Sequence, residues 1–83
     1  MNQIARSPDQ LGIAVQQQRL AHNLSQSALA RLVGTSQKTI SKIENGNPAT
    51  RIETLFAVMA ALDMQMTLGP RTKDSGKTIG DIF

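Results

Sequence analysis

Five side chains in one short stretch, Gln37, Lys38, Thr39, Ser41 and Lys42, carry hydrogen-bonding groups in the combinations that base-pair edges require. A glutamine amide donates and accepts at once, so it can pair bidentately with N6 and N7 of adenine. Lysine can donate to O6 and N7 of guanine, and a serine or threonine hydroxyl serves either partner or meets a thymine methyl. Lys38 and Lys42 also suit a plainer role, the solvation of an exposed helix face. The charge around them favours a polyanion. From position 25 to 52 the chain carries Arg31, Lys38, Lys42 and Arg51 against a single acid, Glu44, within an overall net charge of +3. Phe56 and Phe83 are the only aromatic residues of the Phe, Trp and Tyr class, too few to stack unpaired bases. Duplex therefore fits better than single strands.

Other chemistries lack their parts. There is no cysteine, one histidine and no cluster of carboxylates, so neither a nucleophile–base pair nor a metal site can be assembled, and no cofactor or metal is expected. His22 is explained by its place near a helix C-terminus, where a cation is favoured. With no unbroken apolar run long enough for a leader or a membrane span, and no disulfide framework, the expected compartment is the cytoplasm. A chain of 83 residues makes one small domain of marginal stability, and oligomerisation would help it.

Elements that would hold the five residues can be read from caps and periodicity. Ser7-Pro8-Asp9-Gln10 opens a helix over 8–22, with Ser7 as cap and Gln10 completing a capping box. Leu11, Ala14, Val15, Gln18 and Arg19 lie along its stripe, and Asn23 stops it. Ser25 caps a second helix over 26–33, ended by Gly34, and Thr35-Ser36 caps a third over 37–45, where Ile40 and Ile43 point inward. Two short helices thus flank a tight turn. Thr50 and Glu53 form a second capping box ahead of an apolar helix over 51–62, whose Ile52, Leu55, Phe56, Val58, Met59 and Leu62 supply core. Beyond Asp63 the period changes to two, with Met64, Met66 and Leu68 alternating with Gln65 and Thr67, which predicts a strand. The polar, glycine-containing stretch after Gly69-Pro70 reads as a tail closed by Ile82-Phe83. The divisions are an N-terminal arm at 1–7, a folded domain at 8–68 and a tail at 69–83.

The unit from Ser25 to Gly46, with Gln26, Leu29-Ala30, Gly34-Thr35-Ser36-Gln37, Ile40 and Glu44-Asn45-Gly46, resembles the helix-turn-helix of the Cro/repressor (XRE) family. The resemblance covers about residues 11–62 and implies an all-α domain of four helices. It also implies that the helix starting at Gln37 enters the major groove while the preceding helix touches the backbone. Base reading then falls to Gln37 first, with Lys38, Thr39, Ser41 and Lys42. Gln26, Ser36, Asn45, Asn47 and Arg51 become phosphate contacts, Gln26 aided by the positive end of its helix. Glu44 matches a structural position. Leu32 falls where the family is often polar, as either a stray surface residue or part of a contact patch.

A fifth helix is usual in phage repressors, and here the strand-like residues 64–68 stand in its place. The run Glu44-Asn45-Gly46-Asn47-Pro48, the helix bearing Phe56 and the ending Leu62-Asp63-Met64-Gln65-Met66-Thr67-Leu68 are similar to HipB-type antitoxins. That resemblance implies a homodimer in which Met64, Gln65, Met66, Thr67 and Leu68 of each subunit form a two-stranded intersubunit sheet. It further implies a HipA-like serine/threonine kinase toxin as partner and an autoregulated operon. A lone five-residue strand needs such a mate, because unpaired edges do not stand by themselves. Ile82 and Phe83 suit docking on a protein partner; an idle tail has the same composition. A stand-alone phage or restriction-modification repressor without a toxin is the alternative, and an adaptor acting without DNA a third.

Overall fold

The computed structural model describes residues 3–71. Four helices follow in order: α1 (Pro8–Ala21), α2 (Gln26–Val33), α3 (Gln37–Glu44) and α4 (Ile52–Ala61). Three begin as their caps predict. Ser7, Ser25 and Ser36 each adopt extended backbone and accept from the amide three residues on, Gln10, Ala28 and Thr39. Gln10 closes its box one residue early, accepting from the Arg6 amide rather than that of Ser7.

α4 begins differently from the sequence-based expectation. Its N-cap is Arg51, with no side-chain cap bond. The Thr50 hydroxyl is already spent on the Asn47 carbonyl at 2.9 Å, in a turn whose Asn47 Oδ1 accepts from Ala49 N. Local side-chain bonds compete with capping, and here the turn wins. Glu53 instead sits 3.6 Å from the Arg51 guanidinium, both exposed.

The core joins Val15 of α1, Leu29 and Ala30 of α2, Ile40 and Ile43 of α3, and Leu55, Val58, Met59 and Leu62 from α4 and its end. Ile52 and Phe56, expected in the core, are 69% and 49% exposed. They lie four residues apart on a row of α4 that turns away from the Leu55–Met59–Leu62 row, so the apolar surface of α4 is wider than one domain can cover.

Two glycines set how closely the elements meet. Gly34 ends α2 at φ 84°, the left-handed region open to a residue without Cβ, and its amide and that of Thr35 both return to the Ala30 carbonyl. Gly12 lets α1 lie against the end of α3: a Cβ there would stand 2.5 Å from the Ile43 carbonyl oxygen and 2.6 Å from that of Glu44.

The strand predicted over 64–68 is not formed: neither a strand nor a ladder occurs among the described residues. A ladder needs an edge, and the described residues offer none. Met64 packs partly against the core and its amide reaches the Met59 carbonyl at 2.8 Å, while Met66 and Leu68 are 43% and 86% exposed. Among the described residues no helix is long and apolar enough to cross a membrane. Ile82 and Phe83 lie outside the described residues.

Candidate nucleic-acid interface

α3 is held from behind and capped in front. Ile40, Ile43 and Glu44 are its buried residues. At roughly 100° per residue the opposite face is Lys38, Ser41 and Lys42, with Gln37 and Thr39 on its two flanks. The structure thus places Lys38, Ser41 and Lys42 on the outer face of one helix and Gln37 and Thr39 at its two borders with the buried face. Gln37, Lys38 and Lys42 are exposed, Thr39 and Ser41 half-buried.

Their hydroxyls and amines differ in freedom. Thr39 Oγ1 lies 2.9 Å from Ser36 Oγ, and Ser41 Oγ accepts a long bond from Asn45 Nδ2. Neither lysine has a hydrogen-bond or ion-pair partner among the described residues. The phosphate candidates sit around this helix: Gln26 and Ser36 at the starts of α2 and α3, Asn45 and Asn47 in the loop that follows, and Arg51 exposed at the head of α4. The positive N-terminal ends of α2 and α3 add to a surface suited to anions.

The single acid of this span does not oppose that surface. Glu44 is buried, and its carboxylate receives Arg19 of α1 twice, Nε to Oε2 at 2.6 Å and Nη2 to Oε1 at 3.1 Å. Arg19 completes its bonding at the Leu24 carbonyl, 2.8 Å away. Glu44 Oε1 also accepts from Gln26 Nε2 at 3.0 Å, and Gln26 Oε1 accepts from Gln37 Nε2 at 2.6 Å. Gln26 is therefore turned along the protein as well as toward its surface, leaving one Nε2 hydrogen for an outside partner.

Residues 15–68 match the helix-turn-helix family model HTH_3. Antitoxin HipB of Escherichia coli strain K12 is 39% identical over 62 residues, which cover 75% of this chain and 70% of that protein. The chain belongs to the helix-turn-helix family, as a HipB-type member. Antitoxin HipB of Escherichia coli O6:H1 is likewise 39% identical, and the chain spans 66% of its length. Among solved structures, "HipB-O4 20mer complex" superposes with a TM-score of 0.76 at 37% identity, covering 82% of this chain and 96% of that one. "Structure of HipA-HipB-O2-O3 complex" reaches 0.77 at 38% identity, with 87% and 100% covered. HipB-type proteins are DNA-binding antitoxins and not enzymes.

Two features of this HipB-type domain escaped sequence reading. The Arg19–Glu44 pair joins positions 25 apart, and only the crossing of α1 over α3 brings them together. The signal for it was an arginine on the apolar stripe of α1 and an acid on the inward row of α3. The other is Gly12, a glycine inside a helix, which marks close approach. His22, read as a residue favoured near a helix C-terminus, has its Nε2 3.1 Å from the Leu62 carbonyl, a contact that ties the end of α1 to that of α4. Leu32 is 65% exposed.

Proposed function

We propose that this chain is a homodimeric, sequence-specific DNA-binding repressor that acts as the antitoxin of a HipA-like serine/threonine kinase toxin and autoregulates its operon in the cytoplasm. The observation that carries the reading is the outer face of α3. Lys38 and Lys42 have no hydrogen-bond or ion-pair partner among the described residues, while Glu44, the one acid on α3, is buried against Arg19. Such a helix presents base-reading groups to the major groove, with Gln37, Lys38, Thr39, Ser41 and Lys42 as readers and Gln26, Ser36, Asn45, Asn47 and Arg51 on phosphates.

The toxin enters through likeness to the HipB of the HipA-HipB-O2-O3 complex, of which this chain covers the full length. That likeness favours the antitoxin over a stand-alone repressor. Dimerisation is assigned to Met64, Gln65, Met66, Thr67 and Leu68, paired with the same segment of a second copy. The exposed Met66 and Leu68 and the absence of a ladder partner within the described chain support this. Ile82 and Phe83 are assigned to the toxin, because they end a polar tail with large apolar groups.

Calorimetry against the kinase encoded beside this chain tests the assignment. Saturable binding, weakened by Phe83→Ala and by removal of residues 71–83, is expected. No binding by the full chain would return it to the class of stand-alone repressors.

A further inference from the structure

Four side chains form one directed line from the protein interior to the helix that reads DNA: Arg19, Glu44, Gln26 and Gln37. Direction follows from chemistry as well as from distance. A carboxylate held by a guanidinium only accepts, so Gln26 must offer Glu44 its Nε2 and not its carbonyl. The carbonyl of Gln26 is thereby turned outward and only accepts. Gln37 must answer it with Nε2. One N–H of Gln37 is then committed, and what remains for an outside partner is the other N–H and Oε1.

We infer that Glu44 is a specificity-positioning residue: through Gln26 it fixes the Gln37 amide as one donor and one acceptor, so that the site selects adenine over guanine. This rests on the reading of Gln37 as a base contact. Adenine shows N7 as an acceptor and N6 as a donor in the major groove, the complement of that remaining pair, whereas guanine shows two acceptors, N7 and O6. A freely rotating amide could turn either way. Were Gln26 reversed, Gln37 would accept from it and keep both N–H groups for the two acceptors of guanine. The charge of Glu44 forbids the reversal. Arg19 supports it from behind and, at 8% side-chain exposure against 2% for Glu44, is shielded from competing water.

The test compares four proteins, wild type, Gln37→Ala, Glu44→Gln and Gln26→Met, on one panel of duplexes. The panel is the site that wild type enriches from a randomised duplex pool, with each base pair substituted in turn. Wild type is expected to prefer A·T over G·C at one position by roughly 5- to 150-fold. Gln37→Ala should lose that preference. Glu44→Gln should shrink it at that position alone, since a neutral amide at 44 accepts either orientation of Gln26 and leaves only the phosphate contact of Gln26 to fix it. Gln26→Met leaves the ion pair intact, so it serves where Glu44→Gln fails to fold; it lowers affinity for every duplex but should also flatten the A-over-G ratio at that position. Loss of the preference in Gln37→Ala with an unchanged ratio in Glu44→Gln or in folded Gln26→Met overturns the inference and leaves the base contact standing. A Gln37→Ala protein with wild-type preferences at every position overturns both.

Discussion

Arg19 of α1 and Glu44 of α3, 25 residues apart, meet as an ion pair in which both side chains are nearly closed off from water. Desolvation makes such a pair a poor source of net stability, but losing one partner strands a buried charge. Arg19→Ala should therefore destabilise the fold by about 3–5 kcal/mol. Urea unfolding followed by circular dichroism reads this directly. A loss under about 1 kcal/mol, the range of exposed pairs, would mean that water reaches the carboxylate.

Gly12→Ala sets two effects against each other. Alanine is favoured over glycine inside a helix by about 1 kcal/mol. Here its Cβ would meet two backbone oxygens at the end of α3, at 2.5 and 2.6 Å, and backbone cannot swing aside. Overpacking of this kind costs about 1–3 kcal/mol, so the clash should win and the melting temperature should fall. A rise would show that α1 and α3 lie further apart.

The parts of this fold that were legible beforehand are those governed by neighbours in sequence. Ser25, Gly34 and Ser36 punctuate α2, the turn and α3 by local hydrogen bonds and a left-handed residue, and each does so where read. Misreadings came from relations beyond the segment. Ile52 and Phe56 carry the same apolar signal as Leu55 and Met59, and only the placement of α4 on α2 decides which row is covered. Thr50 looks like a cap until Asn47 supplies a nearer acceptor. The pairing proposed for residues 64–68 asks for a second chain, so a sequence pattern can suggest it while the described residues of one subunit show no ladder.

Contacts on the outer face of α3 should separate by their readout. Lys38→Ala and Lys42→Ala should weaken operator binding by about 1–3 kcal/mol, concentrated at one base pair, wherever the lysine reads a guanine edge. Arg51→Ala should lower affinity for all duplexes alike and reduce the salt slope by about 1, as loss of a phosphate contact does. Fluorescence anisotropy across a substituted panel at several salt concentrations distinguishes them. A uniform loss for either lysine would reassign it to phosphate.

Dimerisation can be probed without touching the core, because Met66 is exposed in the single chain. Met66→Pro removes one amide from the proposed intersubunit ladder. Sedimentation should show monomers with helical content unchanged, and operator binding should weaken with the lost second half-site. A variant that stays dimeric would place the contact elsewhere, with the uncovered Ile52–Phe56 row of α4 as the first alternative.

The central claim, that this surface selects a duplex sequence, is met most directly by one competition measurement. Labelled duplex carrying the site enriched by the wild-type protein is displaced by the same unlabelled duplex, by a scrambled duplex and by a single strand, at fixed physiological salt. The account predicts that the scrambled duplex competes about 10³-fold or more weakly than the selected site, with the single strand no better. Equal competition by all three would contradict it, leaving a basic surface that binds polyanions without reading them.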